Sequence, residues 1–156
     1  MRCFFKVFLA LCLALTVSAC SKPAAWASDE DLAKVQYRDA GPTKLTLFTM
    51  INNRSGVGAH TSLMISASQR VIWDPAGSFY HPSIPERNDV LFGISPRVAD
   101  VYTRYHARET FHVIVQELEV SPDVAEKALR LALARGNVGD AQCALSTSGI
   151  LSQLSG

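Results

Sequence analysis

Two strand-like segments joined by a very short connection constrain the fold of this chain most strongly. Residues 59–66 alternate their side chains between two faces, and residues 70–74 form a second β-prone segment that ends at a proline. A connection this short joins antiparallel neighbours, so the two segments are predicted to form a hairpin. With Ala67-Ser68 as the turn, residue numbers across the hairpin sum to about 134–135, so His60 is predicted to lie opposite Asp74 or Pro75.

The rest of the chain supplies further strands and helices around this hairpin. The additional predicted elements are a strand at 44–51, a helix from Ser95 to His106, a strand at 110–120 and a helix from Ser121 to Ala134. A long irregular segment at 77–95 contains several prolines and aromatic residues, and we expect it to border a functional site. The pattern predicts an α+β domain with a small antiparallel sheet packed with helices.

A last helix is predicted to begin close to Cys143. Gly139-Asp140 is typical of a helix start, with Asp140 as the N-cap, and an apolar stripe continues as far as Leu154. The free N–H groups and the positive end of the helix dipole stabilise an anion at such a position. This setting favours the nucleophilic thiolate and supplies donors for an oxyanion on a bound substrate.

The first twenty residues have the pattern of an export signal. Arg2 and Lys6 precede a continuous apolar run from Val7 to Val17, which is too short for a comfortable membrane span. Small residues then lead to Cys20, and this order resembles the bacterial lipoprotein signal, in which the cysteine is lipidated and becomes the mature N-terminus. The alternative is an ordinary secretory signal with an incidental cysteine.

The lipoprotein signal implies a division of the chain into three segments. These are a signal peptide at 1–19, a tether at 20–42 and one domain at 43–156, which has the length of a single domain. The expected location is the bacterial cell envelope. The protein would be anchored to the membrane by the lipid on Cys20, whose acyl chains include palmitate. Ser21 is similar to the residue that sorts lipoproteins to the periplasmic face of the outer membrane, if the organism is Gram-negative. A net charge of +1 suggests no nucleic-acid partner.

Cysteine usage isolates one thiol. Cys3 and Cys12 leave with the signal peptide and Cys20 carries lipid, so Cys143 is the only free thiol expected in the mature protein and has no disulfide partner. A small buried core residue is the other explanation for Cys143.

Other residues also have simpler explanations. His60 is equally consistent with a strand histidine bonded to backbone, and Asp74 with a turn cap. His112 beside Glu109, or His81 with Glu86, offers metal ligands, but neither spacing matches a standard zinc pattern. We therefore expect no metal and no cofactor.

The order of these motifs resembles the circularly permuted papain-like proteins of the NlpC superfamily, which include the lecithin:retinol acyltransferase-like group. In that group a His opens a strand with the form Gly-His-x-x-[apolar], and a polar third residue lies on the next strand. The nucleophile follows a Gly- and Asn-rich loop and begins a helix. The corresponding segments are the stretch from Gly58 to Ile65, in which Ala59 separates the Gly from His60, then Asp74, and the stretch from Asn137 to Ser146. The resemblance covers roughly residues 45–154.

The resemblance implies a permuted papain-like fold and a cysteine peptidase, amidase or acyltransferase. Cys143 would be the nucleophile, His60 the general base, Asp74 the residue that orients His60, and Gln142 a helper at the oxyanion. Gln142 stands where many members have Asn, and the third residue is often His, Asn, Gln or Glu rather than Asp. The sequence also stops at Gly156, where relatives commonly continue, so we expect a domain shortened at its C-terminus.

The substrate implied is a peptide amide, with cell-wall peptides first and lipid acyl groups second. Two alternatives remain open. One is a non-catalytic envelope lipoprotein that uses the fold as a binding or scaffolding module. The other is a truncated relic of the enzyme, which exposed apolar surface near the end of the chain would favour.

Overall fold

A six-stranded antiparallel sheet forms the centre of the computed structural model, which describes residues 25–154. The strands are β1 (Lys44–Asn52), β2 (Gly58–Ser66), β3 (Arg70–Trp73), β4 (Glu86–Arg87), β5 (Val90–Leu91) and β6 (Phe111–Glu119). The helices of the described residues are α1 (Asp29–Val35), α2 (Pro96–His106), α3 (Pro122–Arg135) and α4 (Cys143–Leu151). The strand order is β4-β5-β3-β2-β1-β6. The predicted α+β class is confirmed.

Several sequence predictions fall on residues that the structure does not describe. The signal peptide, the lipidation site Cys20 and the sorting residue Ser21 all lie before residue 25. Among the described residues, none of the helices combines the length and the apolar character that crossing a membrane requires.

The predicted hairpin is present, but its register differs from the prediction. Leu63 pairs with Trp73, so the connection contains three residues rather than two. Continuing this register places Ser62, not His60, opposite Asp74, and His60 lies diagonally across the same face. The N–H of Asp74 donates to the carbonyl of Asp89 at 2.7 Å, which ties this position to the neighbouring turn. The prediction that His60 lies opposite Asp74 or Pro75 was therefore wrong by one or two positions.

Helices cover the sheet on both faces and create two cores. On one face, α3 and α4 pack over Leu63 and the fully buried Trp73. On the other face, α2 buries Tyr102 against Phe48 and Phe79, whose rings meet edge to face at centroid distances of 5.4 and 5.1 Å. The central strands are therefore buried from both sides, while β6 lies at the edge of the sheet.

Serine N-caps fix the starts of α2 and α3 as predicted. The side-chain oxygens of Ser95 and Ser121 each accept a hydrogen bond from the N–H three residues later, and a proline follows each cap. The start of α4 differs from the prediction. Its N-cap is Gln142 rather than Asp140, because Ala141 has a φ of +61° and breaks the helical path.

The segment assigned to a tether packs partly on the domain. Arg87 donates to the carbonyl of Ala27 at 3.0 Å and lies over the ring of Trp26, 4.6 Å from its centroid. Arg70, a buried residue of β3, forms an ion pair with Asp39. The described part of the tether is therefore held against the sheet by two arginines.

The predicted irregular segment at 77–95 contains the short strands β4 and β5. Asn88 and Asp89 connect them in the left-handed region, with φ values of 50° and 61°, which is typical of a tight hairpin turn. Sequence patterning missed these strands because each has only two residues.

The free energy of unfolding is expected to depend on the buried part of β2. Leu63→Ala removes a fully buried side chain between the sheet and α3–α4, and should lower the free energy of unfolding by about 3 kcal/mol. Leu118→Ala on β6, where the side chain is 64% exposed, is the matched control and should change it by about 0.5 kcal/mol or less. Urea denaturation of both variants measures the difference, and equal losses would contradict the assigned core.

Candidate active site

A short chain of hydrogen bonds runs across the polar end of β2. Nε2 of His60 lies 2.6 Å from Oδ1 of Asp74, and the hydroxyl of Tyr102 lies 2.7 Å from the same oxygen. The Tyr102 hydroxyl is also 2.7 Å from Oγ of Ser62. Since an ionised carboxylate only accepts, Tyr102 donates its proton to Asp74 and accepts one from Ser62. The buried Asp74 is therefore fixed by two donors, one of which is the imidazole of His60.

The thiol of Cys143 is a further partner of the same imidazole. Cys143 is the first residue of α4, is partly buried, and its thiol interacts with the ring of His60. Because Nε2 of His60 is engaged by Asp74, Nδ1 is the nitrogen left for the thiol. The structure thus brings together Cys143, His60 and Asp74, three residues that the sequence separates by up to 83 positions.

Gln142 precedes this constellation without joining it through a hydrogen bond. It is the N-cap residue of α4, is exposed, and makes no side-chain capping hydrogen bond. Its amide nitrogen lies toward Gly139, 3.5 Å from the position that a Cβ would take there. The role of Gln142 at an oxyanion stays a prediction.

Opposing influences act on the pKa of His60. Burial is the largest of them and lowers this pKa, because a charged ring is poorly solvated there. The hydrogen bond and negative charge of Asp74, with a further contribution from Cys143, outweigh burial and raise the pKa of His60 above its ordinary value. A raised pKa makes the ring a stronger base at neutral pH.

A second buried carboxylate positions both Asp74 and the segment before Cys143. Oδ2 of Asp89 accepts the N–H of Val138 at 2.8 Å and the N–H of Ala76 at 3.2 Å. One side chain therefore connects the loop that leads to the nucleophile with the turn that follows Asp74. Asp89 is itself in the left-handed region, which turns its backbone carbonyl toward the N–H of Asp74.

Gly77 makes room for the carboxylate of Asp74. A Cβ at this position would overlap the carboxylate group, and the N–H of Gly77 donates to the backbone carbonyl of Asp74 at 2.9 Å. Any side chain here would push the carboxylate away from its place beside His60.

His106, the last residue of α2, is a second histidine at the site. Its ring stacks on His60, with centroids 5.9 Å apart and planes inclined by 20°. Nδ1 of His106 donates to the carbonyl of Tyr102 at 2.9 Å, and burial lowers the pKa of His106. Burial thus favours the neutral form of this ring, in which the proton on Nδ1 is donated to the carbonyl of Tyr102.

A cleft of about 330 Å³ opens beside the two histidines. Its lining consists of Met50, Ala59, His60, Ala76, Gly77, Ser78, His106, Arg108, Thr110 and Phe111. This volume is at the lower end of the range for small-ligand pockets. The cleft borders His60 but is not lined by Cys143.

Ligand atoms of His60, Asp74 and His106 all lie within 4.8 Å of one another, so these residues offer the donor set of a metal site. The distance of 2.6 Å between His60 and Asp74 is that of a direct hydrogen bond, which a metal would have to replace. The other metal pairs considered from the sequence bond elsewhere: His112 contacts Asn53, and His81 accepts from the N–H of Ser83.

Sequence reasoning missed several residues of the site. Ser62 shares a face of β2 with His60, as the alternation of the strand requires. Tyr102 and His106 are four residues apart and so share a face of α2. Arg108 and Asp89 gave no sequence signal, because each reaches the site only through the path of a loop.

Comparison of the chain with protein-family models, with curated proteins and with solved structures finds no match. The assignment of a function therefore rests on the geometry of the site.

The titration of His60 tests the role of Asp74. Asp74→Asn removes the negative charge while burial still disfavours the charged ring, so the pKa of His60 should fall. The pKa of His60 is raised in the folded wild type, so protonation of His60 adds to the free energy of unfolding. This stabilisation is fully present in mild acid and is lost as the pH rises through the pKa of the folded state. The stability advantage of wild type over the variant should therefore shrink with rising pH.

NMR titration of the His60 ring protons, together with urea denaturation between mildly acidic and mildly alkaline pH, measures both effects. Asp100→Asn changes an exposed carboxylate that pairs with Arg104, and it is the matched control that should leave the His60 titration unchanged. An unaltered pKa of His60 in Asp74→Asn would contradict the coupling.

Gly77→Ala should disturb the site through Asp74. The added methyl group displaces the carboxylate, and we expect about 2 kcal/mol of lost stability together with at least about a tenfold slower reaction at Cys143. Gly149→Ala is the control, because a Cβ there meets no atom within 4 Å. Thiol-labelling kinetics and urea denaturation test both variants, and unchanged kinetics in Gly77→Ala would overturn the proposed constraint.

Proposed function

We propose that this protein is a cysteine hydrolase or acyltransferase that acts on peptide amide bonds, with cell-wall peptides as the favoured substrate. The observation that carries the proposal is the position of the His60 ring between two partners. Asp74 holds one ring nitrogen at 2.6 Å, and the thiol of Cys143 interacts with the ring beside the start of α4. This is the arrangement of a nucleophile, a base and a residue that orients the base.

In the proposed reaction, His60 removes the thiol proton and the sulfur of Cys143 attacks the acyl carbonyl carbon. A C–S bond forms, the C–N bond breaks, and the proton on His60 passes to the departing amine. Water then attacks the thioester, giving its proton to His60, and the sulfur leaves as a thiol again; in a transferase an amine or alcohol replaces the water. Asp74 keeps His60 in the tautomer that this sequence of steps requires.

The start of α4 supplies the electrostatic part of the mechanism. The first N–H groups of a helix have no partner within the helix, so the N–H of Cys143 is oriented to donate to a developing oxyanion. The positive end of the helix dipole stabilises the same negative charge. The α+β architecture, with a cysteine at the start of a helix and a histidine on a neighbouring strand, supports the permuted papain-like assignment.

The proposed location is the cell envelope, through lipidation of Cys20 and a signal peptide at 1–19. Cell-wall peptides are abundant there, and lipid acyl groups are the second substrate class.

A non-catalytic binding module is the second candidate, and one observation favours it. Cys143 is only partly exposed and is not among the residues that line the cleft beside His60, so this cleft does not reach the sulfur directly.

Activity-based labelling decides between the two candidates. A peptidyl acyloxymethyl ketone should modify Cys143 of the wild type at neutral pH, because this reagent needs an activated thiolate. His60→Ala should slow that modification at least about tenfold. His112→Ala on β6 is the matched control, since this exposed histidine contacts Asn53 rather than the site. Peptide mass spectrometry must locate the label, because the chain contains three further cysteines.

Iodoacetamide reports the accessibility of the thiol independently of peptide recognition. Selective loss of acyloxymethyl ketone labelling in His60→Ala, with unchanged circular dichroism, supports the enzyme. Equal labelling of wild type and His60→Ala would mean that Cys143 is an accessible thiol without an activating base, and the binding module would then be favoured.

A further inference from the structure

The position of the cleft relative to the reacting groups indicates which half of a substrate it holds. This inference rests on the proposed function. In that mechanism His60 donates a proton to the leaving group, so the leaving-group atom must come within hydrogen-bond reach of the imidazole. The cleft is lined by His60 and His106 but not by Cys143. A molecule in the cleft therefore lies on the leaving-group side of the bond that breaks, not on the acyl side.

The polar lining of the cleft suits a negatively charged group. Arg108 is cationic, His60 has a raised pKa, and Ser78 and Thr110 add hydroxyl groups. No Asp or Glu belongs to the lining, and the nearest buried carboxylate, Asp74, is already bonded to His60 and Tyr102. An anion in the cleft would therefore be close to hydrogen-bond donors and positive charge, and no carboxylate of the lining would compete with it for them.

Arg108 is held in a way that leaves its outer nitrogens available. Its Nε donates to the carbonyl of Tyr105 at 2.6 Å, and its guanidinium lies over the Tyr105 ring, 4.3 Å from the centroid. Its two terminal nitrogens make no hydrogen bond to any residue between 25 and 154. A guanidinium fixed at Nε and open at its end can bind a carboxylate through parallel hydrogen bonds.

We infer that this cleft binds the leaving-group half of the substrate and that Arg108 selects leaving groups with a carboxylate. The amine released when the C–N bond breaks would then belong to the C-terminal residue, or a short C-terminal piece, of a peptide. The cleft volume of about 330 Å³ limits that piece to roughly one or two residues. His106, whose ring stacks on that of His60, lines the same cleft.

Binding to the full-length Cys143→Ala protein tests this inference without relying on turnover. The probes are acetyl-Ala-Ala with a free C-terminal carboxylate and the same dipeptide with a C-terminal carboxamide. NMR titration should give a Kd roughly tenfold lower for the carboxylate form. Arg108→Gln should make the two Kd values equal. Arg108→Lys keeps the positive charge but cannot form two parallel hydrogen bonds to a carboxylate, so it should retain only part of the preference for the carboxylate peptide.

Arg104→Gln is the matched control. This arginine is exposed on α2, pairs with Asp100 at 2.8 Å and does not line the cleft, so the preference for the carboxylate should persist. Equal Kd values before Arg108 is changed, a preference that survives Arg108→Gln, or no binding of either peptide at millimolar concentration would each overturn the inference. Carboxylate-selective binding together with failed labelling of Cys143 would instead disprove the hydrolase and leave the anion site standing.

Discussion

The buried carboxylate of Asp74 is the group on which the site depends. A carboxylate removed from water is costly unless donors surround it, and Asp74 receives His60 from β2 and Tyr102 from α2. Together with the hydrogen bond between Tyr102 and Ser62, these two contacts join β2 to α2 through polar groups. The need to satisfy one buried charge therefore sets the orientation of the imidazole.

The two-sided packing of the sheet makes this arrangement possible. One face carries α2 with its tyrosine and histidine, and the opposite face carries α4 with Cys143 at its start. Because the polar end of β2 lies between them, a single imidazole contacts groups from both layers. Asp89 reinforces this by holding the loop before Cys143 to the turn after Asp74, so that the two halves of the site are fixed by the same side chain.

The two histidines at this end of the sheet differ in their electrostatic settings. Asp74 raises the pKa of His60, whereas burial lowers the pKa of the neighbouring His106. The pKa values of the two stacked rings are thus displaced in opposite directions. This difference suits His60 to proton transfer and His106 to accepting a hydrogen bond. Arg108 adds a permanent positive charge to the lining of the same cleft. In the proposed complex this charge orients the leaving group by attracting its carboxylate.

The sequence by itself determined much of the local structure. Alternation in residues 59–66, serine N-caps at Ser95 and Ser121, and glycine at 136 specify strands, helix starts and a helix stop through contacts within a few residues. The proximity of His60 and Asp74 also followed from a hairpin, although the register was misjudged because the turn holds one residue more than expected.

Only the tertiary structure decided which distant groups complete the site. Tyr102, His106, Arg108 and Asp89 reach it through the packing of α2 and the paths of two loops, and no local pattern encodes those distances. Ala141 likewise shifted the start of α4 to Cys143 through a left-handed backbone angle that its residue type does not favour. Short-range preferences fix elements, whereas the position of each side chain relative to a remote partner depends on how the whole sheet and its helices pack.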